Sequence, residues 1–470
     1  MNLRPYQREA IDRARSAYVQ GARGVVIVAP TGAGKTVIAA EVVRLTIARG
    51  GRVLIVVPRR EIVAQTVGKL RGVGISPRVV AAGQDTDGDR RVVVAMAQTL
   101  VRRAADCIDA PSLVIVDEAH LAVADTYSRI LERWPRARHM LLTATPCRTD
   151  GRGLGEIAQA LVEVASVREL VTTGHLVPPV VYSAQAPDLS GIRKGASGEL
   201  SPSQAGARYQ VGCIMGDTVQ QIRDRCEGRR VLLFASSVEH SQALTQTLTA
   251  LGYRAAHIDG KTPAGQRAQT LADLGAGRLD VVSNYGCLCE GLDVPAIGAI
   301  VVARSTQSEA LWRQMVGRGL RPYDGKTDCI VIDQGGNAHR HGHPLAGRLW
   351  SLDGRAKRET DAATCRTCPA CLAIYEPAPA CPRCGVAHVP DERKGPRELK
   401  RTELRLVVPG PDGKPKPIRP APEGWRDRQT WEAIERERIA GGYHWRWSLH
   451  RLQGEGWQMS ERYRVRSFWR

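Results

Sequence analysis

A chain of 470 residues is too long for one ordinary domain, and with 43% hydrophobic but only 5% aromatic side chains it must fill its cores chiefly with valine, alanine and leucine. The formal net charge of +19 concentrates a polyanion around the protein, and the preference for 57 arginines over 10 lysines does not explain why 48 acidic residues fail to balance them. No run of about 18 apolar residues occurs and the first residues lack the apolar core of a secretory signal, so a membrane span is excluded and a cytoplasmic setting is expected.

In chain order, short β-branched runs alternate with longer helical segments as far as about residue 335. The first set is 25–28, 53–57, 92–95, 113–116 and 140–142; the second is 231–234, 255–258, 281–282, 299–302 and 330–332. Each run of the first set is continuously apolar, as buried parallel strands are when helices cover both faces. The pattern predicts an α/β fold with two tandem parallel-sheet domains, over 1–170 and 171–345. Residues 183–212 are polar and rich in Gly, Ser and Pro, and read as a linker or inserted loop. The rhythm stops near residue 344. A cysteine cluster follows within 360–390, and then a basic region, 391–470, that holds six of the nine tryptophans.

The segment Ala29-Pro30-Thr31-Gly32-Ala33-Gly34-Lys35-Thr36 follows a predicted strand and opens a predicted helix. Small residues there let backbone N–H groups curl around a phosphate, and the helix N-terminus adds its positive end. In this reading Lys35 sits between the β- and γ-phosphates of ATP and Thr36 offers its hydroxyl to Mg²⁺. Ala29 stands where the strict pattern has glycine. The run 113–116 ends on Asp117-Glu118-Ala119-His120, which places an acidic pair at the end of a buried strand. Asp117 would hold Mg²⁺ and Glu118 would polarise the attacking water.

These residues identify a resemblance to superfamily 2 helicases through residues 1–340, with Asp117-Glu118-Ala119-His120 matching the DEAH box and two RecA-like domains implied. Leu3-Arg4-Pro5-Tyr6-Gln7 is similar to the family's adenine-reading element, which implies ATP contacts from Arg4 and Gln7. Pro58-Arg59-Arg60-Glu61 and Ala97-Gln98-Thr99 resemble segments that touch the nucleic-acid backbone. Thr143-Ala144-Thr145-Pro146 resembles the motif that couples hydrolysis to domain movement, together with His120. In the second half, Gly291-Leu292-Asp293-Val294-Pro295 resembles the element facing both ATP and strand. The octet from Gln314 to Arg321 matches the pattern Q-x-x-G-R-x-x-R, which implies that Arg318 and Arg321 reach the γ-phosphate as arginine fingers. Guanidinium suits the charge spread over phosphoryl oxygens.

The runs Gly317 to Pro322 and Gly325 to Cys329, with Asp333, Gly336-Asn337 and the stretch Arg340 to Pro344, resemble the RadD/YejH-like bacterial group and its prophage relatives. That likeness tilts the expected partner toward DNA; an RNA-remodelling ATPase and an ATP-switched binding module share the same motifs. His339, His341 and His343 alternate on a predicted loop and read as structural or solvent-facing rather than as metal ligands. Cys368-Pro-Ala-Cys371 and Cys381-Pro-Arg-Cys384 form two knuckles that can close a tetrahedral Zn²⁺ site as a zinc ribbon, with Cys365 as a spare. In the tail, 19 Lys/Arg stand against 12 Asp/Glu. Trp425, Trp431, Trp445, Trp447, Trp457 and Trp469 interleave there with arginines, either to stack on bases or to fill a small core.

Overall fold

The computed structural model describes residues 3–58, 60–83, 85–103, 107–121, 124–146, 153–183, 187–195, 199–210, 212–289, 292–354, 357–358, 365–387, 407–409, 415–417, 427–441, 448 and 451. The chain divides into two units, Met1–His388 and Val389–Arg470.

The first lobe of the larger unit begins with α1 (Pro5–Val19), β1 (Gly24–Val28), α2 (Lys35–Ile47), β2 (Val53–Val57) and α3 (Arg60–Arg71). It continues through β3 (Pro77–Val80), β4 (Asp89–Met96), α4 (Ala97–Arg102), β5 (Leu113–Val116), α5 (Ala124–Glu132), β6 (Arg138–Thr143) and β7 (Ala160–Glu163). The strands lie in the order β3-β4-β2-β5-β6-β1-β7, and every pairing is parallel. Strand periodicity explains why their sequences are apolar throughout. Val25 and Ile27 of β1 enter one core while Val26 and Val28 enter the core on the opposite face. The same applies to β2, whose five residues are all buried.

The second lobe comprises α6 (Val167–Thr172), β8 (Pro179–Ser183), α7 (Pro202–Tyr209), α8 (Gly212–Arg225), β9 (Arg230–Ala235), α9 (Val238–Ala250) and β10 (Ala255–Ile258). Then come α10 (Ala264–Ala276), β11 (Val281–Asn284), β12 (Ile297–Ala303), α11 (Glu309–Gly317), β13 (Cys329–Asp333) and α12 (Asn337–His341). Strands β14 (Arg348–Leu349) and β15 (Lys357–Arg358) form a small antiparallel pair, and β16 (Arg366–Thr367) and β17 (Ala373–Tyr375) follow. The second sheet runs β10-β11-β9-β12-β13-β8-β17-β16. Its first six strands are parallel, whereas β17 pairs antiparallel with β8.

Two features go beyond the sequence expectation. The cysteine segment joins the second lobe: β16 and β17 extend the second sheet and cover what would otherwise be the open edge of β8. The polar stretch 183–212 is also more structured than a linker, since α7 lies within it. Glu199, just before α7, accepts hydrogen bonds at one carboxylate oxygen from Thr306 Oγ1 (2.7 Å), Gln307 N (2.9 Å) and Ser308 N (3.0 Å). A carboxylate thus caps the N-terminus of α11, where the helix dipole favours it, beside the N-cap bond from Leu311 N to Ser308 Oγ (3.2 Å).

The lobes are joined beyond the chain connection. One apolar cluster contains Val25 and Ile27 of the first sheet, Leu232 and Phe234 of the second, and Leu176, Val316 and Leu320 between them. A strap after α12 then returns to the first lobe, where Trp350 and Leu352 pack against its second core and Leu352 O accepts from Gly155 N (2.9 Å). Among the described residues, no helix is long and apolar enough to cross a membrane.

In the smaller unit, β18 (Val407–Pro409) pairs antiparallel with β19 (Pro415–Pro417), followed by α13 (Arg428–Ala440). Trp431 is buried, and the fully buried Glu435 is satisfied by Arg438 Nε (2.8 Å) and Ser448 Oγ (2.5 Å). Trp431 therefore fills a core; the other five tail tryptophans lie outside the described residues.

The close approach at Gly24 is open to test. A Cβ there would lie 2.3 Å from Ile157 O and 2.9 Å from Ala158 Cα, both backbone atoms that cannot swing away. Gly24→Ala should destabilise the protein by about 1–3 kcal/mol, read as a lower urea midpoint; an unchanged midpoint would contradict this packing.

Candidate functional site

In a sheet of parallel strands all C-terminal ends lie on one edge, so the loops after β1, β5 and β6 are neighbours. The loop after β1 carries Thr31 to Thr36. Gly32 (φ +92°) and Gly34 (φ +89°) occupy the left-handed region that side chains rarely adopt, and Gly34 is the N-cap of α2. Lys35 opens that helix and Thr36 follows in its first turn. The Lys35 ammonium donates to Ala29 O (3.4 Å) and lies 3.8 Å from Glu118 Oε1.

Asp117 and Glu118 follow β5. Glu118 has φ +49°, an unusual conformation for a residue with a side chain, and its carboxylate is almost wholly buried. Burial pushes the Glu118 carboxyl up, but Lys35, His120 and Arg318 outweigh it and hold it below the ordinary value. Asp117 moves the other way, raised by burial and then by the charge of Glu118 beside it. Divergent acids of this kind suit divided roles. Glu118 Oε2 is buried and has no hydrogen-bond partner among the described residues, the condition expected of an oxygen meant for a water molecule.

His120 links this carboxylate to the rest of the site. Its Nε2 lies 2.9 Å from Gln314 Nε2, so the amide donates and the imidazole nitrogen accepts. The ring proton then resides on Nδ1, which is 3.1 Å from Thr143 Oγ1 and 3.5 Å from Glu118 Oε2. Thr143 donates onward to Thr145 O (2.7 Å) and accepts from Thr145 N (3.1 Å). The DEAH-like segment, the Thr143-Ala144-Thr145 turn and α11 of the second lobe thus form one hydrogen-bonded line.

The second lobe closes over the phosphate loop through α11. A Cβ on Gly317 would lie 2.6 Å from Thr31 Cβ, so the helix end rests directly on that loop. The stem of Arg321 passes 3.7 Å from the Cβ position of Gly32. Arg318 donates from Nε (3.0 Å) and Nη2 (2.7 Å) to Cys289 O and from Nη1 to Leu292 O (3.0 Å). Arg321 Nη1 donates to Leu292 O (2.7 Å) and pairs with Asp293 (3.1 Å). Asp293 also lies 3.8 Å from Lys69 of α3, an ion pair between the lobes that the sequence did not signal.

The remaining expected residues separate into several groups. Gln7 abuts the phosphate loop: its amide donates to Ala33 O (2.9 Å) and accepts from Arg4 N (3.1 Å), which commits it to the loop and to the start of α1. Arg4 itself donates to the Tyr6 hydroxyl (3.0 Å). Pro58 ends β2 and Gln98 is exposed on α4, on the same sheet edge as the loops above. Thr99 is buried, with its hydroxyl accepting from Ala82 N (3.2 Å), so it braces the turn after β3 and is not presented outward. Arg59, the side chain of Arg60, and Gly291 lie outside the described residues.

The sulfur atoms of Cys368, Cys371, Cys381 and Cys384 all lie within 4.8 Å of one another. Cys368–Cys384 is 3.5 Å and Cys371–Cys381 3.8 Å, close to the ~3.8 Å edge of a tetrahedron of thiolates around Zn²⁺. Cys365 is turned away, with its Sγ against Ala338 O (3.3 Å). The alternating histidines disperse as expected of structural residues. His339 meets Thr367 (3.2 Å), His341 donates to Thr306 O (2.9 Å), and His343 accepts from Leu345 N (3.3 Å).

Comparison with known proteins matches two stretches of the chain to known families. Residues 1–148 match the family "Type III restriction enzyme, res subunit", and residues 214–322 match "Helicase conserved C-terminal domain". The chain is 29% identical over 387 residues to the 51.5 kDa protein of Lactococcus phage (isolate 7-9), covering 81% of this chain and 82% of that one. It is 28% identical over 390 residues to the DNA 3'-5' translocase XPB2 of Sulfurisphaera tokodaii, covering 72% and 83%. With IRC3 of Saccharomyces cerevisiae it shares 28% over 351 residues, 70% of this chain but 51% of that protein, so it spans about half the length of that relative. A structure named as a fragment of an HsdR subunit of a type I restriction enzyme from Vibrio vulnificus has the same fold, with a TM-score of 0.59 at 21% identity and coverage of 75% and 67%.

The bond between the lobes can be cut singly. Gln314→Leu should leave the melting temperature near that of the parent while slowing nucleotide hydrolysis by roughly tenfold, the worth of about one well-placed hydrogen bond; an unaltered turnover would show that the line through His120 carries nothing.

Proposed function

We propose that the chain is a superfamily 2 helicase, an ATP-dependent enzyme acting on nucleic acid, as its two helicase-family matches and its helicase-named relatives support, and within that class a DEAH-box motor of the RadD/YejH-like and prophage-related branch that translocates along DNA. The observation that carries this reading is the meeting of Lys35, Glu118 and His120 of one lobe with Gln314 of the other. ATP would lie at that seam. Lys35 would hold its terminal phosphates, Thr36 and Asp117 the Mg²⁺, and Glu118 the attacking water. The motor would comprise 1–170 and 171–345, with Arg318 and Arg321 supplying positive charge to the phosphoryl from the second lobe. In this scheme Arg321 exchanges its partner Asp293 for the phosphoryl oxygens as the seam tightens.

Nucleic acid would cross the sheet edge that carries Pro58 and Gln98, with Arg59 and Arg60 as further contacts by the family resemblance, gripped through phosphates and so largely without regard to sequence. The excess of basic residues suits either nucleic acid, and DNA is preferred on the likeness to a DNA translocase that the chain matches over most of its length. The four thiols would hold one Zn²⁺ and so brace β16 and β17 against the second sheet. A reducing, cytoplasmic setting suits these thiols.

Three measurements test this. Lys35→Ala should lower ATP turnover by at least ~10²-fold, and retained turnover would remove the nucleotide from this loop. Single-stranded DNA should stimulate ATPase activity more than RNA of the same length, and the opposite order would reassign the substrate. Elemental analysis should find about one zinc per chain, and stripping it should lower the melting temperature because the edge of β8 is uncovered; a metal-free protein of unchanged stability would refute the ribbon.

A further inference from the structure

Lys326 has no role in the line of contacts above, yet its environment is unusual. The turn from Tyr323 to Lys326, closed by Lys326 N on Tyr323 O (3.0 Å) with Gly325 at φ +73°, folds the side chain back under the preceding residues. Its ammonium then faces four backbone carbonyls: Ile297 O (2.5 Å), Gly319 O (2.6 Å), Arg321 O (2.8 Å) and Pro295 O (3.2 Å). Among the described residues no carboxylate lies within ion-pairing distance, since the nearby Asp328 is engaged by Arg229 Nη1 (2.6 Å). An ammonium has three protons to donate and no acceptor, so carbonyl oxygens satisfy it and this cage does so entirely through main chain.

The four carbonyls belong to two stretches. Gly319 and Arg321 lie within the Arg318–Arg321 segment, while Pro295 and Ile297 follow Leu292, whose carbonyl accepts from both arginines, and Asp293, which pairs with Arg321. Between the two clamped carbonyls, Leu320 O is taken by Val177 N (2.8 Å) from the connection between the lobes. Three consecutive carbonyls are therefore held, two by one side chain. Gly319 leaves no room to shift, since its Cβ position is 2.4 Å from Cys329 Sγ and 2.7 Å from Ile300 Cγ1.

We propose that Lys326 is a positioning residue for ATP hydrolysis: its ammonium locks the backbone of the Arg318–Arg321 segment to the Leu292–Ile297 segment, so that both guanidinium groups are presented to the seam in one fixed orientation. The proposal rests on the assignment of those arginines to the terminal phosphoryl. Preorganised charge is effective in catalysis because it need not reorganise as the reaction proceeds. A neutral amine in the same cage loses the charge-assisted bonds and loosens both stretches together.

The cage also makes the effect depend on pH. Burial lowers the Lys326 pKa to about 8; the Cys329 thiol and Asp328 work against this, and Arg321 and Arg229 add to it. The folded value lies below that of the unfolded chain, so between the two the unfolded state binds more protons and this group's contribution to stability rises with pH. Deprotonation of Lys326 is therefore not itself a cause of unfolding across that window, and the melting temperatures separate a fall in turnover from a loss of fold.

The test compares kcat and KM for ATP, with saturating single-stranded DNA, between pH 6.5 and 9.5 for the parent, Arg321→Ala, Lys326→Met and Lys326→Arg, with melting temperatures alongside. Lys326→Met should lower kcat by at least about tenfold while KM changes much less. The parent should lose kcat as pH rises through about 8, and Lys326→Arg, which stays charged, should not. If Arg321→Ala is slow and Lys326→Met turns over normally, the positioning role is overturned while the arginine assignment stands. If Arg321→Ala is itself normal, that assignment fails and the proposal with it. Should Lys326→Met not fold, the pH profiles decide: the same alkaline decline in Lys326→Arg and the parent overturns the role.

Discussion

The bond between Gln314 and His120 is the contact on which the catalytic geometry depends, because both nitrogens of one imidazole are used in different directions. Nε2 accepts from the second lobe, which places the proton on Nδ1, and Nδ1 faces Thr143 and Glu118 in the first. The ring is enclosed almost completely, so these interactions act in a medium of low dielectric where alignment counts for more than it would in water. A change in the position of α11 therefore reaches the Thr143–Thr145 turn through the single imidazole of His120. Conversely, whatever alters Glu118 alters the surface on which α11 rests.

The surrounding sheet supplies the rigidity that this arrangement needs. Glu118 holds a left-handed backbone at a residue with a full side chain, a conformation that costs on the order of 1–3 kcal/mol. It persists because β5 is paired on both sides, by β2 and β6, with all four of its residues buried. Strain is thus concentrated at the carboxylate and borne by strands that do no chemistry. On the other wall, Gly317 and Gly319 permit an approach that no side chain would allow, one toward the phosphate loop and the other toward the second sheet.

Much of this was readable from residue types. Buried parallel strands such as β1, β2, β5 and β12 announce themselves because both of their faces must be apolar, and the phosphate loop does so because its glycines fall between such a strand and a helix. Strand β3 lies at a sheet edge, contains Pro and Arg, and offers too little periodicity to be seen; β8 begins on Pro179 and closes on Tyr182-Ser183, which leaves only two β-branched residues between. The merging of the cysteine segment with the second sheet was hidden for a similar reason, since β16 and β17 span only two and three residues. Lys69 with Asp293 and Glu199 with the start of α11 are far apart in the chain, and single charges carry no signature of their partners. Lys326 was less legible still, because everything it touches is backbone. Thr99 shows the opposite error: a residue type suited to a phosphate oxygen is instead absorbed by the turn it supports.

The strap after α12 bears on how such a molecule could move. The chain passes from the first lobe to the second between β7 and β8, and it returns at Trp350 and Leu352 to a separate anchorage beside Gly155. The two connections run side by side, since Arg168 just after the crossing donates to Leu345 O on the way to the strap (3.4 Å). Wholesale separation of the lobes would require breaking the Leu352 anchorage as well as the apolar cluster they share. The strap therefore acts as a tether, which leaves the lobes less independent than a single connection would.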